Sequence, residues 1–245
     1  MDPWALIFIP PCFILVAMSS GLHLDADITN PRFQVRQCTR ETCGLRFSIQ
    51  FGDRRGERCP LCRAETIVLD QTYERQVIHQ PAVQSSGPEL EVLLDNIRSA
   101  WNVGSMLRTA DGAGVRRVHL CGVSSTPDNP KVAKTALGAE KSLPWTFHPD
   151  GVAAARSLKE QGLRLWALEG GLRAESLFDQ STELPGAPVV LVAGNELTGV
   201  DPGILDLCER VVCLPMQGIK GSLNVAVAFG IAVYYIRFGM VAERA

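Results

Sequence analysis

Residues 189–200 read Val-Val-Leu-Val-Ala-Gly-Asn-Glu-Leu-Thr-Gly-Val. Val189 to Ala193 is wholly apolar and rich in β-branched residues, the mark of a strand buried on both faces. Polar and small residues follow at once, at Gly194-Asn195-Glu196. In open α/β sheets, ligands bind beyond the carboxyl ends of the strands. Working outward, apolar runs at Leu90–Leu94, Val118–Val123, Trp145–Phe147, Leu163–Leu168 and Val211–Leu214 read as further strands. Between them Asn102–Ala110, Pro130–Leu137, Val152–Gln161, Pro202–Cys208 and Leu223–Phe238 read as helices, the first ended by Gly112 and Gly114. Strands alternating with helices predict an α/β fold, a mostly parallel sheet covered on both faces.

Two more segments place polar residues and glycines near strand ends. One is Asn96-Ile97-Arg98 followed by Asn102-Val103-Gly104-Ser105-Met106-Leu107-Arg108. The other is Leu214-Pro215-Met216-Gln217-Gly218 with Ser222-Leu223-Asn224-Val225-Ala226. Gly194 and Gly218 would let a ligand approach backbone amides closely. Ser222 and Asn224 begin the last helix, where such side chains cap it or face a ligand. Asn102 and Arg108 do not share a helical face, yet a cap residue and a helix residue can both point into one cleft. Taken singly, Arg108 reads as a surface residue and Ser-x-Asn as a helix cap.

In order, the pattern N-x-G-x-x-x-R, then G-N-E, then P-M-x-G-x-x-x-S-L-N-V resembles the SpoU branch of the SPOUT RNA methyltransferases over about 150 residues. Departures are Leu197-Thr198-Gly199 where many members have a second small residue after the Glu, and Ala226 where Ser is common. The resemblance implies a C-terminal trefoil knot, a homodimer, and transfer of a methyl group from S-adenosylmethionine to a ribose 2′-hydroxyl of tRNA or rRNA. It places the donor against Ala193, Gly194, Asn195, Glu196, Gly199, Leu214, Met216, Gly218, Ser222, Leu223 and Asn224. It assigns catalysis to Asn102, Arg108, Glu196, Ser222 and Asn224. An arginine is a poor base, so Arg108 is expected to clamp a phosphate and stabilise charge on the 2′-oxygen. Asn102 would orient the ribose or Arg108, and Glu196 would hold Arg108 or the donor. The alternative is a non-enzymatic RNA-binding protein with a methyltransferase-like body. The glycine fingerprint of a dinucleotide fold, G-x-G-x-x-G, is absent.

The 245 residues suffice for this body, 89–245, and one small domain. Net charge is −2, but Arg32 to Arg63 carries eight Arg against three acids, +5, leaving −7 for the rest. Such a basic segment suits a polyanion, with Arg54, Arg55, Arg58, Arg98 and Arg108 as the expected RNA contacts. Within residues 32–66, Cys38-x4-Cys43 and Cys59-x2-Cys62 have the spacing of a zinc ribbon. Four thiolates close a tetrahedral site, so the zinc is expected to be structural. Cys12, Cys121, Cys208 and Cys213 lie in apolar runs and read as inert thiols. Together these cysteines point to a reducing cytoplasm. Residues 67–88 read as a linker, and residues 1–31 as an apolar run with its own linker. That run, Trp4 to Met18, is broken by Pro10-Pro11 and is shorter than the roughly 20 residues of a membrane span. No membrane role is expected, and translation is expected to start at Met18.

Overall fold

β10 (Val189–Ala193) is wholly buried, and its alternate side chains feed two cores. Val189, Leu191 and Ala193 enter one; Val190 and Val192 enter the other. The computed structural model describes residues 32–69, 72–74, 87–179 and 186–240, in two compact units divided after Pro81. The expectations about the N-terminal run, its linker and the start at Met18 fall outside the described residues.

In the larger unit β10 lies at the centre of seven strands. The others are β5 (Leu90–Asp95), β6 (Val118–Cys121), β7 (Trp145–His148), β8 (Arg164–Leu168), β9 (Glu175–Ser176) and β11 (Arg210–Cys213). Their order is β7-β6-β5-β10-β8-β11-β9, and every pairing is parallel. The expected strands are all present; the two-residue β9 is too short to leave a pattern. The helices are α1 (Ala100–Gly112), α2 (Pro130–Ala136), α3 (Ala139–Ser142), α4 (Gly151–Glu160), α5 (Pro202–Leu205) and α6 (Val225–Tyr234). The first core holds Val103, Met106, Leu107 and Ala110 of α1 with Phe229, Ala232 and Val233 of α6. The second packs Ala154, Ala155 and Leu158 of α4 and Ile204 of α5 onto the opposite face.

Gly104 lets α1 and α2 touch: a Cβ there would sit 2.1 Å from Thr135 Oγ1 and 2.3 Å from the Val132 carbonyl oxygen. The sequence predicts helix from Leu223 to Phe238, but α6 starts two residues later and ends in a π-turn at Tyr235–Gly239. There the Tyr235 ring packs edge-on against Phe178, 4.9 Å between centroids. α6 follows β11 near one margin of the sheet yet packs on α1 and against β10 and β8. That return brings the third polar segment to the end of β10.

The smaller unit is an antiparallel sheet in which β1 (Arg32–Cys38) pairs with β2 (Arg46–Gln50), β3 (Thr66–Val68) and β4 (Tyr73–Glu74). Most of β3 and all of β4 come from 67–88, expected as linker, so the small module runs further than residues 32–66.

Candidate active site

The end of β10 is built by its own loop. Asn195 Oδ1 accepts from the amides of Leu197 and Thr198 at 2.9 and 3.2 Å, while its Nδ2 donates to the Asn96 carbonyl at 2.8 Å. A Cβ on Gly194 would lie 2.3 Å from the Gly199 carbonyl carbon and the Val200 nitrogen. Gly194 is therefore required for the closure of this loop. Gly199 has φ of 75°, and a Cβ there would meet Glu169 Oε2 at 2.4 Å. Glu169, at the end of β8, accepts from the Val200 amide at 2.9 Å and the Gly170 amide at 3.0 Å.

Glu196 leaves this loop and reaches the start of α1. Its carboxylate accepts from the backbone amides of Arg98 and Ser99 at 2.9 and 3.1 Å and from Asn102 Nδ2 at 2.9 Å. These are donors that a helix start leaves unpaired, and the anion sits at the positive end of the helix dipole. Burial opposes ionisation of Glu196, but the hydrogen bonds outweigh it and hold the carboxyl below its usual value. Asn102 Oδ1 in turn accepts from Asn224 Nδ2 at 3.3 Å. Asn224 caps α6 by accepting from the Ala226 amide at 2.9 Å. One chain, Glu196–Asn102–Asn224, thus joins the three polar segments. Glu196 is committed to α1, not to Arg108.

Behind the chain lies a cavity of about 420 Å³. Of the residues expected to meet the donor, Gly194, Asn195, Glu196, Gly199, Leu214, Met216, Ser222, Leu223 and Asn224 line it. Ala193 and Gly218 do not: Ala193 is sealed in the first core, and Gly218 has open space around its Cα. The sequence reading missed the end of β8, Leu168 to Gly170, and also Leu197, Cys213, Gly221, Val225 and Ala228. The rule that ligands sit beyond strand ends would have pointed to Glu169. Leu168, Leu214, Val225 and Ala228 offer apolar wall, and among the described residues the lining carries Glu169 and Glu196 and no Lys or Arg. The volume falls in the usual range of roughly 300–1,000 Å³ for small-molecule sites. Such a wall fits a ligand with an apolar or aromatic part and a positive charge.

Arg98 and Arg108 are exposed and outside the cavity lining. Arg108 stands six residues beyond Asn102, about 9 Å along the axis, and makes no side-chain hydrogen bond or ion pair with a described residue. The Ser222 hydroxyl is likewise unpaired among the described residues.

Elsewhere, Asp95 ends β5 almost fully buried, accepting from the Asp201 amide at 3.0 Å; burial raises its pKa above the ordinary value. Burial pushes the Cys121 and Cys208 thiols up to about 12, as expected of inert cysteines. Cys12 is outside the described residues. On the α4 face, Glu91, His119 and His148 form a hydrogen-bonded row, with contacts of 2.9 and 3.0 Å.

In the small unit the four cysteines meet. Cys38 and Cys62 sulfurs are 3.4 Å apart, Cys43 and Cys59 3.8 Å, and all four lie within 4.8 Å of one another. A tetrahedron with metal–sulfur bonds of about 2.3 Å has edges of about 3.8 Å. The donor set therefore fits one zinc ion. The arginines expected to grip RNA each face an acid: Arg55 pairs with Asp53 at 2.6 Å, Arg54 with Glu57 at 3.5 Å and Arg58 with Glu65 at 3.9 Å.

The fold and site define a parallel α/β protein with a ligand cavity beyond its central strand. Residues 89–234 match the SpoU rRNA Methylase family, and the chain belongs to it. It is 30% identical over 212 residues to the 23S rRNA (guanosine-2′-O-)-methyltransferase RlmB of Pseudomonas aeruginosa, spanning 84% of this chain and 83% of that one. It is also 30% identical to the tRNA (guanosine(18)-2′-O)-methyltransferase of Thermus thermophilus, over 67% of this chain and 82% of the relative. In fold it is similar to the SpoU methyltransferase AviRb of Streptomyces viridochromogenes, solved in complex with AdoMet. The TM-score is 0.55 and the identity 24%, covering 71% of this chain and 65% of that one.

Proposed function

We propose that this chain is an RNA methyltransferase that transfers the methyl group of S-adenosylmethionine to a ribose 2′-hydroxyl of rRNA or tRNA. The observation that carries the reading is the Glu196–Asn102–Asn224 chain, which ties all three motifs around one cavity. Family membership and the two 2′-O-methyltransferase relatives support it. A merely RNA-binding protein would have no need of this assembly.

The cavity would hold the donor, which supplies a methyl group already activated on a positively charged sulfur. Glu169 and Glu196 give that cation a complementary wall. Glu196 accepts three hydrogen bonds and is held in its ionised form, so its work is to fix the start of α1 rather than to take a proton. Asn102 is engaged on both sides of its amide and acts as the link between Glu196 and Asn224. That leaves Ser222 to face the ribose from the cavity wall. Arg108, exposed and unpaired among the described residues, clamps the substrate phosphate and steadies charge on the 2′-oxygen.

The protein works as a homodimer. α6 is apolar around its circumference, with Phe229, Ala232 and Val233 turned inward while Val227, Ile231 and Tyr234 are exposed. Their spacing sets them on one stripe, and such a helix needs cover on its outer side. The four cysteines bind a structural zinc ion, and the module around it helps hold the RNA. Its substrates place the enzyme in the cytoplasm. Among the described residues no helix is long and apolar enough to cross a membrane.

The test is methyl transfer from labelled S-adenosylmethionine into total rRNA and tRNA, with Arg108→Ala in parallel. Label recovered in 2′-O-methylnucleosides, and lost in the variant while donor binding persists, is the expected result. Label on a base, or turnover unchanged by Arg108→Ala, would overturn the assignment.

A further inference from the structure

The Arg-rich hairpin is a poor candidate for the RNA grip, since Arg54, Arg55 and Arg58 each lie against a carboxylate. The sheet beside it offers another surface. Residues paired across an antiparallel ladder share a face. One face of β1 carries Gln34, Arg36 and Cys38 beside Ile49, Phe47 and Thr66. This is the inside of the module: Gln34, Cys38 and Thr66 are buried, and Gly56 packs so closely that a Cβ there would meet Arg36 Cδ at 2.8 Å.

The other face is open. It has one row of Gln50, Phe33 and Tyr73, a second of Ser48 and Val35, and a third of Arg46, Gln37 and Ile67. Phe33 and Tyr73 are stacked, with centroids 5.7 Å apart and planes 28° from parallel. Tyr73 is 42% and Ile67 52% exposed, on β4 and β3, the strands that flank β1 opposite β2. Aromatic and aliphatic surface bordered by the Gln50 amide and the Ser48 hydroxyl is what an unstacked base requires. A π-face meets it from below, and donors and acceptors meet its edges. Over Arg32 to Glu74 eight arginines stand against six acids, a formal +2 that falls to about zero once four thiolates bind a divalent metal, so any phosphate contact rests on individual arginines rather than on net charge. Arg40 and Arg63 flank the two cysteine turns, exposed, with no side-chain partner among the described residues.

We infer that the open face of the small sheet, centred on Tyr73, Phe33 and Ile67, is a stacking platform for a single-stranded stretch of the RNA substrate. A duplex is not its ligand, because bases inside A-form RNA present no free π-face to a flat sheet. The inference rests on the reading of the chain as an RNA-modifying enzyme, and it adds which surface selects unpaired RNA.

The experiment uses the full chain loaded with zinc. Its probes are a short fluorescein-labelled single-stranded RNA and the same strand annealed to its complement. The wild type should prefer the single strand. Tyr73→Ser combined with Ile67→Ser should lose on the order of tenfold in affinity for it. Duplex binding and the salt dependence should stay as they were, because phosphate contacts are untouched. Zinc content equal to wild type will show that the variant module is folded. Tyr73 should be acetylated by N-acetylimidazole in the free protein and protected by the single strand, as read from peptide masses. Equal affinity for strand and duplex, or an unaffected double variant, would overturn the platform. So would a Tyr73 already shielded without RNA. Single-strand binding that depends on Tyr73, in a protein that neither binds S-adenosylmethionine nor transfers methyl groups, would sink the enzymatic reading and leave the platform standing.

Discussion

In the small module the buried apolar residues are Cys38 and Cys59, both members of the candidate zinc site. The methyltransferase body instead buries Leu90, Leu94, Met106, Leu191, Phe229 and many more without exposure. One region has almost no hydrophobic interior among its described residues, so the order proposed for it rests on metal–sulfur bonds; the other needs no metal to justify its order. The lesson concerns where each can be broken. A tetrathiolate site concentrates the folding free energy at four atoms, whereas an apolar core spreads it over dozens of side chains.

The comparison can be broken most sharply at the metal. Structural zinc sites contribute roughly 10–16 kcal/mol of apparent binding free energy, more than a sheet of this size can supply by burial. Chelation, or Cys59→Ser, is expected to unfold residues 32–74 and leave the body intact. Hydrogen exchange with peptide resolution checks this; protection retained in β1 after zinc removal would refute it.

The converse cut falls in the body. Phe229 of α6 is fully buried in the first core, with Val103, Met106, Leu107 and Ala110 of α1. Phe229→Ala should cost about 3–5 kcal/mol in the body's denaturation transition, with zinc content unchanged. A cost under about 1 kcal/mol would mean that this core is looser than its packing indicates.

A smaller effect sharpens the comparison inside the body, between the framework of the site and its chemistry. Asn102→Ala removes the link between Glu196 and Asn224. A hydrogen bond to a charged group is worth about 1.5–3 kcal/mol, so donor affinity should fall on the order of tenfold or more. Arg108→Ala should leave donor affinity alone and lower turnover. Calorimetric titration with S-adenosylmethionine separates the two; equal donor affinities in both variants would deny the framework role.

The smallest effect is a pH dependence in the body. Glu196 has its folded pKa below the ordinary 4.5, so its stabilisation is complete above that value and is lost as the pH falls through the lower, folded one. Asp95 has its folded pKa above the ordinary 3.8, so its contribution is present below that value and is lost as the pH rises. The two slopes oppose each other. Glu196→Gln should flatten the acid-side fall in Tm, and a variant with an unaltered pH profile would show that Glu196 does not hold α1.

The body was the more legible region in the sequence, for a physical reason. Parallel strands buried on both faces are apolar runs, and β5, β6, β8 and β10 each appear as one. Glycines and polar residues at strand ends gave most of the cavity wall. The order of seven strands was not legible, because local patterns carry no information on which runs become neighbours. Nor was the hydrogen bond that Glu169 accepts from the Val200 amide, or β3 and β4, too short to show alternation.

What the sequence determined by itself was composition-level and local: an α/β body, the strand ends that carry chemistry, and four cysteines spaced to share a metal. What only the tertiary structure decided was partnership. Glu196 holds the start of α1, and Asn102 links Glu196 to Asn224. Gly194 was required by the backbone of its own loop. A side chain's chemical type is fixed by the codon, but its hydrogen-bond partner is fixed by which distant segment the fold delivers to it. Here that segment arrives from about a hundred residues away.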